Sequence, residues 1–216
     1  MLDYSLTECS IKSIMARVGT EKLRKRELIE ATIKSIESHG FQGTTIMTIS
    51  REASMSAGII SHYFGSKQGL ILATIRHLLE ELKQGLLQQI SASEQTLTPE
   101  LRLHMIVDTN LSCFQQSSSV TRTWLCFWAQ ALHDPDLARL QRVNSKRLQR
   151  NLLYSYRQVI TDRDQAIMAA NMTAAMIDGF WLRSSLSQGS SGDSDNEFKQ
   201  AEKLCKQFIS AQCRQV

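Results

Sequence analysis

Aromatic side chains recur at helical spacing in the second half of the sequence, and an acidic residue accompanies one of them. Trp124, Phe127 and Trp128 fall at i, i+3 and i+4, which places two indoles and a phenyl ring on one helix face. Trp181 follows Asp178 by one helical turn. Indole faces beside a buried carboxylate suit a desolvated organic cation, because a quaternary ammonium group is attracted to ring faces and has no proton to donate. Aromatic stripes are more often plain core, and that alternative stays open.

A second candidate site lies near the N-terminus, in the segment AGIISHYF after Ser56. Ile60 and Phe64 are four residues apart and can pack inward together, which leaves the other side of a helix exposed. A helix that reads bases in the DNA major groove buries one side and presents small or hydrogen-bonding residues on the other. The candidate base-facing residues are Ala57, Gly58, Ile59, Ser61 and His62. Gly58 would let the backbone come close to the duplex.

Three further residues could contact DNA phosphates. Tyr63 can donate a hydrogen bond to a phosphate oxygen, and Thr45 and Lys67 each stand at the start of an expected helix, where free N–H groups favour an anion. Basic residues also concentrate between positions 12 and 26, so the N-terminal part is expected to be electropositive. Singly, each of these could be an ordinary surface residue of a three-helix bundle.

The elements that must position these residues are all predicted to be helices. The chain has 2 prolines and 10 glycines in 216 residues, which favours long helices, and we predict an all-α protein. We expect a first helix over about 21–39 that is closed by Gly40. A second helix should be capped by Thr44 or Thr45 and end near Ala53, and a third should be capped by Ser56. Later helices are predicted over 67–90, with Ser66 as cap, and over 99–115, 119–133, 136–160, 163–186 and from about 197 onwards.

The predicted organisation has three parts: a mobile arm over 1–20, a helix-turn-helix domain over 21–66, and a ligand-sensing and dimerisation domain over 67–216. Met15 precedes the periodic region, so translation starting there is one expectation. A Gly, Ser and Asp-rich stretch, 187–196, is expected to be a mobile loop. Residues 163–182 are apolar nearly all round, which predicts cover on more than one side and, with the last helix, a four-helix dimer interface.

Other functional classes find little support in the sequence. No metalloprotease, serine hydrolase, P-loop or dinucleotide-binding motif occurs, so an enzyme is the disfavoured alternative and no cofactor or metal is expected. The 5 cysteines form no C-x-x-C pair. No membrane span or secretory signal is recognisable, which predicts a cytoplasmic protein. The basic run from Arg139 to Arg150 predicts a solvated helix face, with a second nucleic-acid patch as the alternative.

The segment TTIMTISREASMSAGIISHYFGSKQGL resembles the DNA-binding region of the TetR family of bacterial regulators. The resemblance implies a homodimer that reads a near-palindromic operator in double-stranded DNA and is released by a small molecule. It assigns base contacts and phosphate contacts to the same residues named above. Two positions depart from the family pattern: Ser54 stands where glycine is usual, which predicts a strained turn, and Ser61 stands where tyrosine is common.

Further segments resemble a choline-responsive branch of that family, which represses genes of choline transport and glycine betaine synthesis in osmotic adaptation. They are GIISHYF, TWLCFWAQALHDPDLARLQRVN and AAMIDGFWLR. The ligand-binding candidates remain those of the aromatic pattern: Trp124, Phe127, Trp128, Asp178 and Trp181. A drug or another hydrophobic metabolite is the alternative effector. In either case the helix from Lys67 is the expected lever between ligand and DNA.

Overall fold

The computed structural model describes the backbone of residues 4–187 and 194–214, and the side chains of residues 20–187 and 196–214. Within these ranges every regular element is a helix, so the predicted all-α class is confirmed. The helices are α1 (Tyr4–Gly43), α2 (Ile46–Glu52), α3 (Gly58–Phe64), α4 (Lys67–Ala92), α5 (Pro99–Asn110), α6 (Cys113–Gln116), α7 (Ser118–Gln130), α8 (Pro135–Tyr156), α9 (Arg163–Ser187) and α10 (Ser194–Arg214). No described helix has the length and apolar content needed to cross a lipid bilayer.

The first of two compact units, residues 1–77, is organised around a small apolar core. Its buried members come from four helices: Leu28 and Ala31 from α1, Ile49 from α2, Ile60 from α3 and Leu70 from α4. Phe64 packs against this cluster, so the predicted inward pair of Ile60 and Phe64 is confirmed. Burying each large apolar side chain contributes about 1.5–3 kcal/mol, and this core therefore holds α3 against α1 and α2.

The first helix begins earlier than its sequence pattern suggests. It starts at Tyr4 rather than near Glu21, so the predicted start is wrong. Residues 4–20 contain no proline and a single glycine, Gly19, so little in this stretch opposes helix propagation. At the other end Gly40 has φ 67° and ψ 178°, which confirms the expected glycine break in the helix.

The caps of the short helices differ from one another. Thr45 is the N-cap of α2 and exchanges two hydrogen bonds with Thr48: its hydroxyl accepts from the Thr48 N–H at 3.1 Å, and its own N–H donates to Thr48 Oγ1 at 2.8 Å. Helix α2 ends at Glu52 with Ala53 as its C-cap, close to the predicted end near Ala53. Ser56 does not cap α3. The N-cap is Ala57, which has a helical conformation and makes no side-chain hydrogen bond.

Residues 78–216 form the second unit. In it, α9 packs against both α8 and α10, and α5 also packs against α8 and α10. Buried hydroxyls of Tyr156 and Thr173 lie 2.7 Å apart and join α8 to α9. The Arg102 guanidinium donates to the carbonyl oxygen of Asn151 at 2.9 Å and joins α5 to α8. This bundle supplies the walls of the cavities described below.

One predicted helix of this unit is interrupted. The expected helix over 99–115 is wrong, because α5 ends at Asn110 and α6 begins only at Cys113. Ser112 between them is extended, with φ −68° and ψ 158°. Serine favours such cap positions, since its hydroxyl competes with the helical hydrogen bonds of the backbone. The remaining predicted helices of the second unit agree with the observed bounds to within about four residues at each end.

The boundary between the units lies inside α4, after His77, whereas the sequence suggested a boundary at Lys67. The first turns of α4 belong to the first unit because Leu70 is fully buried in its core. Helix α4 starts as predicted, with Ser66 Oγ accepting a hydrogen bond from the Gly69 N–H at 3.0 Å. Most of the predicted loop over 187–196 lies outside the described residues.

Candidate nucleic-acid interface and ligand cavity

Helix α3 presents a small polar surface to solvent. Gly58, Ser61 and His62 are exposed, while Ile60 on the opposite side is completely buried. Ala57 and Ile59 are half-buried, and Ile59 packs partly against the core, so its side chain is only in part free for contact. The helix thus has one anchored side and one accessible side, the form that major-groove reading requires.

Gly58 has no packing role among the residues that the structure describes. A Cβ atom built at this position meets no other atom within 4 Å, so the protein itself leaves room for a side chain there. Gly69 is different, because a Cβ there would lie 2.1 Å from the carbonyl oxygen of Phe64. The fold therefore requires glycine at position 69 but not at position 58. The close approach of a partner outside the protein would account for the glycine at position 58.

The three candidate phosphate contacts lie in different local settings. Thr45 is exposed but its hydroxyl oxygen serves the α2 cap. The Tyr63 ring lies 4.8 Å from the His62 ring, and Lys25 Nζ lies 5.7 Å from the Tyr63 ring centre. Lys67 Nζ is 5.5 Å from the ring of Phe41. Lys25 was identified from the sequence only as part of a basic stretch. Its approach to Tyr63 could not be predicted, because it depends on how α1 and α3 pack.

In the second unit, four of the five aromatic and acidic candidates line one small cavity. Trp124, Trp128, Asp178 and Trp181 surround a space of about 40 Å³. The rings of Trp128 and Trp181 meet edge to face, with centres 5.2 Å apart. Phe127 does not line the cavity. It is 2% exposed and packs edge-on against Trp124, so it belongs to the core that supports the site.

Gln115 holds two of the three indoles in place. Its side-chain oxygen accepts a hydrogen bond from Trp124 Nε1 at 2.8 Å, and its backbone carbonyl accepts one from Trp181 Nε1 at 3.3 Å. Trp128 Nε1 is buried and has no hydrogen-bond partner among the described residues. Buried N–H groups are rarely left unpaired, so this indole is a donor available to a ligand oxygen.

Asp178 is the acidic member of the cavity wall. The sequence suggested a buried acid, but Asp178 as a whole residue is exposed. Protein atoms nevertheless surround its carboxyl group in the concave wall, and this desolvation raises the pKa of Asp178 to about 6. At neutral pH the carboxyl is thus mostly ionised but poorly solvated. A cation without N–H groups could approach it across the indole faces.

Several lining residues were not identified from sequence. They are Leu82 of α4, Asn110 of α5, Gln115 of α6, Asn144 of α8 and Ile177 of α9. A glutamine in a serine-rich stretch and two isolated asparagines give no periodic signal, so only the packing of five helices reveals them. No group of three or more His, Cys, Asp or Glu side chains in the described part of the chain could hold a metal ion.

Two family descriptions match consecutive parts of the chain. Residues 28–74 match "Bacterial regulatory proteins, tetR family", and residues 99–214 match "BetI-type transcriptional repressor, C-terminal". An HTH-type transcriptional regulator BetI of Burkholderia lata is 43% identical over 175 residues, covering 81% of this chain and 89% of that protein. The BetI regulator of Proteus mirabilis is 39% identical over 198 residues, covering 92% and 96%.

Solved structures share the fold. A transcriptional regulator from Pseudomonas aeruginosa superposes with a TM-score of 0.73 at 24% identity, covering 88% of this chain and 90% of that one. A regulator from Saccharomonospora viridis, solved in complex with choline, has a TM-score of 0.71 at 20% identity, covering 86% and 95%. The curated names describe a transcriptional regulator and not an enzyme. The chain belongs to the TetR family of DNA-binding transcriptional regulators, and its C-terminal domain is of the BetI repressor type.

Proposed function

We propose that this protein represses genes of choline uptake and glycine betaine synthesis, and that choline releases it from its operator. The observation that carries the proposal is the cavity in which Asp178, with its pKa raised to about 6, lies beside three indoles. The choline complex of the Saccharomonospora viridis regulator and the BetI names of the relatives support the choice of cation.

Choline matches the cavity group by group. Its quaternary ammonium has no N–H to satisfy, so ring faces and one carboxylate suffice for it. Its hydroxyl oxygen can accept a hydrogen bond from Trp128 Nε1, which has no partner among the residues that the structure describes. The small space of about 40 Å³ favours a compact head group over a bulky drug. A hydrophobic effector of another kind would leave Asp178 uncompensated.

DNA recognition is assigned to α3 and its surroundings. We propose base contacts by Ala57, Gly58, Ile59, Ser61 and His62, and phosphate contacts by Thr45, Tyr63 and Lys67. A twofold dimer would present two such helices to successive major grooves about 34–36 Å apart. The exposed apolar residues Met168 and Met172 on α9 support a dimer interface along that helix, with α10 beside it.

The coupling between ligand and DNA is assigned to α4. Leu82 on this helix lines the aromatic cavity, and Lys67, a proposed phosphate contact, is its first residue. A ligand that displaces Leu82 would therefore act directly on the helix that carries Lys67. Such a ligand can weaken operator binding only by as much as it prefers the released conformation, typically 1–3 kcal/mol.

Calorimetry on the dimer with choline, betaine aldehyde and glycine betaine tests the proposal. We expect choline to bind, and saturating choline to weaken operator binding at fixed salt by about tenfold, within the usual range of coupling energies. The salt concentration must be held constant because DNA affinity depends steeply on it. Operator affinity that stays the same at millimolar choline would refute the proposed regulation.

A further inference from the structure

A larger cavity adjoins the aromatic one and has a different chemical character. It has a volume of about 290 Å³, close to the lower end of the usual size of ligand pockets, about 300–1,000 Å³. Leu82, Asn110 and Asn144 line both cavities, so the two spaces are neighbours. These shared residues belong to α4, α5 and α8.

Positively charged groups line the larger cavity. Arg102 and Arg147 contribute guanidinium groups, and Lys83 contributes an ammonium group. Lys83 Nζ forms an ion pair with Glu80 Oε1 at 2.9 Å. Neither arginine lies within ion-pair distance of a carboxylate among the described residues. Both guanidinium groups thus lack a direct ion pair among the described residues, although the Glu80 carboxylate, which pairs with Lys83, is near enough to interact electrostatically with Arg147.

The two guanidinium groups are held in position by neutral acceptors. Arg102 Nη1 donates to Ser155 Oγ and to the carbonyl oxygen of Asn151, both at 2.9 Å. Arg147 Nη1 donates to the carbonyl oxygen of Leu79 at 3.2 Å. Burial lowers the pKa of Arg102, which indicates that its charge is poorly solvated. An anion entering the cavity would meet fixed, partly desolvated guanidinium groups, which are well suited to bind phosphate oxygens.

We propose that the cavity has an anion-binding compartment formed by Arg102 and Arg147, and that the protein binds a phosphate monoester of a quaternary ammonium alcohol more tightly than the free alcohol. The inference rests on the proposed binding of a quaternary ammonium group in the aromatic cavity. The phosphate would lie between the guanidinium groups, and the cation beside Asp178. In glycine betaine only one carbon separates the carboxylate from the nitrogen. Its two charges are therefore too close together for the cation to lie beside Asp178 while the carboxylate reaches past Leu82, Asn110 and Asn144 to the guanidinium groups.

Calorimetry with choline, phosphocholine, glycine betaine and inorganic phosphate tests this assignment on the full-length dimer. We expect phosphocholine to bind about tenfold more tightly than choline, the value of one charge-assisted hydrogen bond. Inorganic phosphate alone should bind weakly. The Arg147→Gln variant should lower the ratio of phosphocholine to choline affinity about tenfold. Arg150→Gln is the matched control, because Arg150 is exposed on the same helix and does not line the cavity.

The outcomes separate this inference from the proposed function. If choline binds but phosphocholine binds no more tightly, the anion compartment is refuted while choline sensing stands. Inorganic phosphate that binds as tightly as phosphocholine also refutes it, because the cation would then contribute nothing, and so does an equal loss of the affinity ratio in Arg150→Gln. If neither choline nor phosphocholine binds, the proposed function itself fails. Should Arg147→Gln not fold, competition between the two ligands on the wild-type protein at low and high salt decides, since the phosphate contact should weaken with salt.

Discussion

Asp178 combines two properties that conflict in a residue selected for stability alone. The residue as a whole is exposed, yet the protein atoms around its carboxyl disfavour the charged form and raise the pKa of Asp178 to about 6. In the unfolded chain an aspartic acid titrates near 3.9. Between these values the folded state binds more protons than the unfolded state, so stability falls as the pH rises through this range. A ligand cation would offset that unfavourable charge.

The pH dependence of choline binding follows from this pKa. Choline affinity should be constant above about pH 7 and fall about tenfold per unit well below pH 6, because the cation binds the ionised carboxyl. Asp178→Asn should bind choline weakly at every pH and melt at a higher temperature than the wild type at pH 7.5. Asp164→Asn, an exposed change on the same helix, is the control for calorimetry and melting. Equal choline affinity at pH 7.5 and 5.0 would contradict the assignment.

Gly58 allows a test of DNA contact that leaves the fold intact. A methyl group at this position meets no protein atom within 4 Å, so Gly58→Ala should fold and melt like the wild type. If α3 lies in the major groove with its backbone close to the bases, the added methyl group should lower operator affinity about tenfold or more, about 1–3 kcal/mol. Fluorescence anisotropy at fixed salt measures this. The control is Ser91→Ala, an exposed change on α4 in the second unit, which should not alter operator affinity. Unchanged operator affinity of Gly58→Ala would argue against a close approach of the α3 backbone to DNA.

At the scale of elements, the turn between α2 and α3 contains local strain. Ser54 has φ 53°, the only positive φ at a non-glycine residue in the described chain. Serine thus occupies a position where glycine is usual in the family, and its backbone adopts a conformation that costs about 1–2 kcal/mol for a residue with a side chain. The turn persists because Ile49 on one side and Ile60 on the other are anchored in the core.

Replacing Ser54 by glycine should relieve this strain. We expect Ser54→Gly to raise the free energy of unfolding by about 0.5–1 kcal/mol, since glycine adopts positive φ freely but loses more entropy on folding. Urea denaturation of the dimer measures the difference. Ser56→Gly, an exposed change in the same turn at negative φ, should give no gain. A loss of stability in Ser54→Gly would mean that the serine makes a compensating contact.

At the scale of the whole molecule, α9 carries an apolar surface that the described residues leave exposed. Met168 is 52% exposed and Met172 is 46% exposed, one helical turn apart. Other residues of the same helix, such as Ala170 and Ile177, are buried. Such a surface fits the face of a twofold interface, in which the same helix of a second subunit would cover it.

Introducing charge on this surface should separate the subunits. We expect the double variant Met168→Glu, Met172→Glu to sediment as a monomer at micromolar concentration, because burying an unpaired carboxylate is strongly unfavourable. Operator affinity should fall with it, since a single reading helix makes half the contacts. Leu132→Glu is the control, because Leu132 is 82% exposed on another part of the unit. A double variant that remains dimeric would place the interface elsewhere.

Local sequence signals determined the fold class and the starts of several helices in this protein. Helical periodicity and the scarcity of proline and glycine predicted the all-α class, and side-chain caps predicted the starts at Thr45 and Ser66. Ile60 and Phe64 were recognisable as an inward pair from their spacing alone. These properties depend on residues within about one helical turn of each other, which is the range over which backbone hydrogen bonds and neighbouring side chains act.

The tertiary structure alone decided how the aromatic cavity is built. Trp181 reaches the carbonyl of Gln115 across 66 positions of sequence, and the raised pKa of Asp178 arises from protein atoms packed around it. Neither the role of Gln115 nor the position of Phe127 behind the cavity could be read from spacing, because periodicity defines the face of one helix but not the neighbour it meets. Desolvation and long-range hydrogen bonds depend on how separate helices pack together, and that packing is absent from any short stretch of sequence.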